Sequence, residues 1–276
     1  MGKFDGFLIC TDLDGTLYRK DKTISEENRE AIEYFKREGG YFTFITGRMP
    51  YYSQDAFEAA KPNVPFGCVN GCLYDGAMGE YVVKTELPRD AFELVKCVEE
   101  RFPNVGIQIC GFDKTYFAKD NDATVRFRKI TGVPRLLCDY KSFAEPVGKI
   151  IFCSIIEEEI LAIEKLLYEH ELAGNFDFVR SEKSLYEILP KGADKAMALR
   201  RLTEYLGIDM KNAIAVGDYN NDVPMLRAAG VGVAVANASA AALAAADFVT
   251  VSNEEHAIAR LIYDLESGKF NGENDK

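Results

Sequence analysis

Short apolar runs recur toward both ends of the chain, at residues 7–10, 41–45, 66–69, 213–216, 231–235 and 248–251. Each is too short for a buried helix, and most are bounded by Gly, Asp, Asn or Thr, so each predicts a buried strand. Helical spacing fills the intervals. Ser25 stands as an N-cap before Glu26 and Glu27, Ala31, Ile32 and Phe35 share one face, and Gly39-Gly40 stops the helix. A second helix is predicted over 193–206 with Gly207 as its stop, a short one over 224–229, and Asn237 is placed as the cap of an alanine-rich helix. Strand–helix alternation of this kind implies right-handed crossovers and a largely parallel sheet.

Between these segments the pattern changes. Residues 88–102 read as a helix, 105–110 and 115–118 as a hairpin pair around the loop 111–114, and 122–130 as a second helix. A strand over 149–156, a helix over 157–169 and strands over 176–180 and 185–189 complete the block. An α+β block interrupting an α/β pattern predicts an inserted domain. The expected organisation is a core of residues 1–84 and 189–276 with an insertion of residues 85–188. The polar stretch 267–276 is expected to fray.

Composition narrows the function. The 276 residues are 47% hydrophobic and 28% charged, enough apolar material for packed cores. A net charge of −11 argues against a general nucleic-acid or anionic-membrane surface, so an anionic ligand would need a metal or a few placed cations. The seven cysteines lie mostly in apolar runs and read as buried thiols of a cytoplasmic protein. Cys68 and Cys72 have no second pair or nearby histidine to complete a zinc site. No signal-peptide pattern and no run of membrane-spanning length is present, and the expected location is the cytoplasm. His170 and His256 fall in charge-rich, predicted helical stretches and read as surface groups. Gly230-Val231-Gly232 precedes its strand, which rules out a dinucleotide loop.

The chemistry is concentrated at strand ends. Asp12 and Asp14, in Thr11-Asp12-Leu13-Asp14-Gly15-Thr16, follow the first apolar run, where open α/β sheets bind ligands. Two acids this close in a half-buried site need a cation or proton to share, which points to a divalent metal. Three further motifs occupy corresponding places: Thr46-Gly47-Arg48 after the second run, Lys195 in Lys191-Gly192-Ala193-Asp194-Lys195, and Gly217-Asp218-Tyr219-Asn220-Asn221-Asp222 after the fourth. In this order they resemble the haloacid dehalogenase superfamily, and closely its Cof-like phosphatases with a large cap inserted between the second and third motifs. The resemblance covers the whole chain.

It implies a Rossmann-like α/β core with a capping insertion, and a magnesium-dependent phosphatase acting on small phosphorylated metabolites such as a sugar phosphate or phosphorylated cofactor. Asp12 would be the nucleophile that forms an aspartyl-phosphate, and Asp14 the group that protonates the leaving oxygen and later deprotonates water. Asp12, the Asp14 carbonyl and Asp218 would hold magnesium, with Asp222 behind them orienting Lys195. Thr46, Gly47 and Lys195 would meet the phosphoryl group, Asn221 would hydrogen-bond near the metal or that group, and Arg48 and Asn70 would be further substrate contacts. Lys191 competes with Lys195 on sequence alone; the resemblance favours Lys195. A sugar phosphomutase of the same superfamily, or a catalytically silent phospholigand-binding protein, are the alternatives.

Overall fold

A computed structural model of the chain describes residues 2–270; residues 271–276 of the stretch expected to fray lie outside them. Two compact units result, one from the chain's two ends (through Val83 and from Asp194), the other from Lys84–Ala193.

The first unit opens with β1 (Leu8–Thr11), α1 (Glu26–Arg37), β2 (Tyr41–Phe44), α2 (Gln54–Ala60), β3 (Phe66–Cys68), β4 (Cys72–Asp75) and β5 (Glu80–Val83). The inserted unit follows as α3 (Ala91–Arg101), β6 (Gly106–Gly111), β7 (Thr115–Lys119), α4 (Asp122–Thr131), β8 (Val147–Cys153), α5 (Glu157–Tyr168), β9 (Phe176–Glu182) and β10 (Leu185–Pro190). The chain then returns to the first unit through α6 (Lys195–Leu206), β11 (Ala213–Gly217), α7 (Val223–Ala228), β12 (Val231–Ala234), α8 (Ala240–Ala245), β13 (Phe248–Val249) and α9 (Ala257–Glu266).

The first unit is built on a wholly parallel sheet in the order β13-β12-β11-β1-β2. Its central strands are buried throughout, which is why they read as continuous apolar runs. Leu8, Cys10, Ala213 and Ala215 pack with Ala198, Leu199 and Leu202 of α6 and Met225 and Leu226 of α7. Helix α1 is capped as its sequence requires, the Asn28 N–H donating to Ser25 Oγ at 3.2 Å, and it packs against α9.

Three local expectations change. The apolar run at 66–69 does not extend the parallel sheet. It meets the end of β2 through one isolated parallel bridge, Ile45–Gly67, and the stacked rings of Phe44 and Phe66, and it begins an antiparallel sheet β3-β4-β5. The cap of α8 is Ser239, whose Oγ accepts from the Ala242 N–H at 3.3 Å, and not Asn237, whose side chain is engaged elsewhere. His256 is the left-handed N-cap of α9 and His170 lies beyond the end of α5.

The inserted unit carries an antiparallel sheet in the order β7-β6-β8-β10-β9. Ile107, Ile109, Ile150, Phe152, Tyr186 and Ile188 alternate onto the face covered by α3 and α5. The alternate positions place Lys149 and Glu187 on the other face, where they form a buried ion pair of 2.7 Å. All seven cysteines are free thiols. Among the described residues no helix is long and apolar enough to cross a membrane.

Candidate active site

Parallel strands that end level deliver their next residues to one place. Thr11 lies opposite both Phe44 and Val216, so Asp12, the Thr46 loop and Asp218 all leave the sheet at its carboxyl edge. The Asp12 N–H continues the ladder by donating to the Val216 carbonyl at 2.8 Å, which fixes the carboxylate at the mouth of the strand. Gly15 turns the chain away with φ +82°, and a Cβ there would lie 2.5 Å from Asp218 Oδ2, so backbone shape and crowding both demand glycine.

Helix α6 contributes the central cation. Asp194 caps it, accepting from the Met197 N–H at 2.7 Å, and Lys195 is its first residue. The Lys195 ammonium, 1% exposed, donates to Asp12 Oδ1 and to Asp222 Oδ1, each at 2.5 Å. Asp222 Oδ2 in turn accepts the N–H groups of Asp218 and Tyr219, both at 2.9 Å, closing the turn after β11. Thr16 Oγ1 donates to Asp218 Oδ1 at 2.8 Å and thereby ties the first motif to the fourth. Lys191 is elsewhere, paired with Asp177 at 2.8 Å and largely exposed.

Oxygens of Asp12, Asp218 and Asp222 all lie within 4.8 Å of one another. Burial raises the Asp12 pKa and the neighbouring Asp222 and Asp218 charges add to this, against the opposing pull of Lys195. Burial likewise pushes Asp218 up to about 6, with Asp222 contributing and Thr16 opposing. Burial would lower Lys195, but Asp12 and Asp222 overcome it and keep the ammonium charged. Three carboxylates around one ammonium leave an excess of buried negative charge. An all-oxygen donor set of that kind suits a hard divalent cation.

Asp14 sits in the opposite environment. Its carboxylate accepts from Lys22 Nζ at 2.6 Å and from the Arg48 guanidinium. Burial would raise its pKa, but Arg48 and Lys22 more than offset that and hold it below the ordinary range. Thr46 is buried; its N–H donates to the Gly67 carbonyl at 3.0 Å and its Oγ1 accepts the Arg48 N–H at 3.2 Å. Asn70 is buried beside Gly47, its Oδ1 3.1 Å from where a Cβ of Gly47 would stand. Asn221 is half-buried in the turn that carries Asp222.

Asp12, Asp14, Thr46, Gly47, Arg48, Asn70, Lys195, Asp218, Asn221 and Asp222 therefore all belong to the first unit, whereas Lys191 belongs to the second. Two participants were missed. Lys22 reaches Asp14 from a left-handed turn position, φ +63°, and Asn237 donates its side-chain amide to the Gly15 carbonyl at 2.8 Å. Nothing in the local sequence marks either one; only the return of the chain brings Asn237 to the first motif.

A family model of haloacid dehalogenase-like hydrolases matches residues 9–262. The chain belongs to this family. This haloacid dehalogenase-like hydrolase is 30% identical over 268 residues to the 5-amino-6-(5-phospho-D-ribitylamino)uracil phosphatase YitU of Bacillus subtilis, covering 93% of this chain and 96% of the relative. It is 28% identical over 228 residues to the HMP-PP phosphatase of Escherichia coli, covering 82% of each. Among solved structures, a haloacid dehalogenase-like hydrolase from Bacteroides thetaiotaomicron superposes with a TM-score of 0.81 at 25% identity, covering 94% of this chain and 99% of that one. Family and relatives together make it a phosphatase of the haloacid dehalogenase superfamily.

Proposed function

We propose that this hydrolase is a magnesium-dependent phosphatase of small phosphorylated metabolites that works through an aspartyl-phosphate on Asp12. The observation that carries the reading is the Asp12 carboxylate, fixed at a strand end, salt-bridged to buried Lys195 and grouped with two further carboxylates. The relatives named for a phosphorylated ribitylaminouracil and for HMP-PP support a small, phosphorylated substrate.

In this reading Asp12 attacks phosphorus, the P–O bond to the leaving group breaks, and the leaving oxygen takes a proton from Asp14. Asp14 then removes a proton from the water that cleaves the acyl phosphate and restores Asp12. Its position between Lys22 and Arg48 favours the basic form needed in that second half. Lys195 holds Asp12 and presents positive charge to the phosphoryl oxygens, while Thr46, the Gly47 amide and Asn221 orient them. Asp12, the Asp14 carbonyl and Asp218 are the proposed magnesium ligands, with Asp222 behind them aligning Lys195. A magnesium ion held there would supply neutralisation of charge on the transferring group, where most catalysis of phosphoryl transfer resides. Residues 85–188 are read as the family's cap, and Arg48 and Asn70 as substrate contacts.

The test is phosphate release from an aryl phosphate with magnesium, followed across a panel of phosphorylated metabolites. Wild type should turn over, Asp12→Asn should not, and chelation should abolish activity. A wild-type protein that releases no phosphate from any substrate, or an Asp12→Asn variant of full activity, would overturn the reading.

A further inference from the structure

The turn between β3 and β4 is built against backbone preference. Residues 68–71 close it, the Gly71 N–H donating to the Cys68 carbonyl at 3.1 Å. Its two central residues both have positive φ, +50° at Val69 and +60° at Asn70. Asparagine visits this region readily, but a β-branched valine does so only under strain. Two-residue hairpin loops want this left-handed backbone and ordinarily take Gly, Asn or Asp to supply it. Here a buried valine is held in it instead.

The surrounding bonds show what holds it. The Val69 N–H donates to the Arg48 carbonyl at 3.1 Å and the Asn70 N–H to the Thr46 carbonyl at 3.3 Å, so the turn clasps the loop on either side of Gly47. The Asn70 side chain abuts Gly47 itself. On the other side, Arg201 Nη1 donates to the Gly71 carbonyl at 2.5 Å, and Arg201 lies on α6, the helix that begins at Lys195. Gly67 completes the link, since a Cβ there would approach Ala198 Cβ to 3.1 Å. One strained turn thus joins the Thr46–Arg48 loop to the helix that carries the site's buried ammonium. Strain of this sort persists only where surrounding bonds over-determine it, and it gathers at sites that must be pre-organised.

We propose that the Val69–Asn70 turn is a built-in brace of the phosphoryl site, with Val69 and Arg201 as positioning residues that set the Thr46–Arg48 loop relative to Lys195. This rests on the phosphatase reading above. Neither residue touches substrate; both act through the placement of the loop and of α6.

The variant that isolates the brace is Val69→Gly, because glycine takes φ +50° without strain and leaves the turn free to relax. Binding of inorganic phosphate in the presence of magnesium is measured by calorimetry, alongside p-nitrophenyl phosphate turnover and thermal melting. The expected result is a melting temperature within a few degrees of wild type, with phosphate affinity and kcat/KM each down about tenfold, since small misplacement of orienting groups is expensive. Arg201→Met should move phosphate affinity in the same direction, and Arg201→Lys should recover most of it. The proposal is overturned if Val69→Gly binds phosphate and turns over like wild type. It is equally overturned if Val69→Gly or Arg201→Met lowers only the melting temperature while the folded protein keeps wild-type phosphate affinity, or if wild type binds no phosphate. Wild-type protein that binds phosphate but hydrolyses no ester counts against the phosphatase reading alone.

Discussion

Replacing Lys195 by methionine removes the single cation that Asp12 and Asp222 share, while nearly preserving side-chain length. Both ion pairs measure 2.5 Å and the ammonium is 1% exposed, so water is not there to take over its role. Breaking a buried pair by deleting one partner destabilises by about 3–5 kcal/mol, because an uncompensated charge stays behind. For a unit of this size that is a fall in melting temperature on the order of 10 °C. The loss has a pH signature. With Lys195 gone, the carboxylates of Asp12 and Asp218, already raised by burial and mutual repulsion, rise further in the folded state. An acid whose folded pKa is raised stabilises the fold below its unfolded pKa and loses that contribution as pH climbs through the folded value. The deficit of Lys195→Met against wild type should therefore be largest near pH 8 and shrink toward pH 5. Magnesium should restore part of it at neutral pH by binding only the folded form. Urea unfolding at several pH values, with and without magnesium, is the assay. A deficit below about 1 kcal/mol, or one that does not change with pH, would refute the view that Lys195 neutralises a buried acidic cluster.

Other substitutions probe separate parts of the structure. Asp14→Asn should slow aryl phosphates with good leaving groups little and alkyl phosphates by about 10²–10⁴-fold, read as the dependence of kcat/KM on leaving-group pKa; equal losses for both would remove Asp14 from proton transfer. Gly15→Ala forces a side chain onto Asp218 Oδ2, 2.5 Å away, at φ +82°. It should cost about 1–3 kcal/mol in urea unfolding and raise the magnesium concentration needed for half-maximal activity; an unchanged magnesium requirement would contradict the placement of Asp218. In the inserted unit, burial would raise the Asp120 pKa, but Arg128, Arg135 and Thr124 hold it well below the ordinary range. Its contribution is present above the unfolded pKa and lost as pH falls through the depressed folded value. Asp120→Asn should thus lose about 1–2 kcal/mol at pH 7 and progressively less below pH 4, and a pH-independent loss would point to packing instead.

Legibility in the sequence followed the range of the forces involved. Buried parallel strands announce themselves as apolar runs, so β1, β2 and β11 and the carboxylates at their ends could be placed from local pattern alone. The cap of α1 was legible for the same reason: Ser25 and its bonding partner Asn28 are near neighbours in the chain. The cap of α8 was not. Asn237 has the chemistry of a cap, but its amide is drawn to the Gly15 carbonyl and its Oδ1 to the Asn253 N–H at 3.0 Å, leaving Ser239 to cap the helix. The run at 66–69 was ambiguous because an apolar strand looks alike whether its neighbours are parallel or antiparallel. What decided it was the turn at Val69, whose left-handed backbone no propensity for valine would suggest. Lys22 was invisible for a further reason, since an exposed lysine becomes distinctive only when the fold puts a carboxylate within reach.

Asp12 and Asp14, one residue apart, show why composition alone could go no further than a shared cation. Burial and two neighbouring acids raise the first, while Arg48 and Lys22 depress the second. Pairs of titratable groups driven apart by their surroundings mark divided acid–base labour. Yet the direction here is the reverse of what the proposed opening step needs, in which Asp12 attacks ionised and Asp14 gives up a proton. The same contacts supply the correction when ligands arrive. A divalent cation at the proposed site, held by Asp12, the Asp14 carbonyl and Asp218, would favour the charged carboxylate of Asp12. A phosphoryl dianion that took the Arg48 guanidinium, as the proposed substrate contact requires, would remove the chief support of the Asp14 charge and add a repulsive one. The raised Asp12 and lowered Asp14 of the free protein oppose the proposed opening step, so in that mechanism the acid limb of kcat/KM, a property of free enzyme, should move down as magnesium rises while that of kcat, a property of the complex, stays in place. An acid limb of kcat/KM that ignores magnesium would show that Asp12 is already ionised without it, and that Lys195 alone suffices.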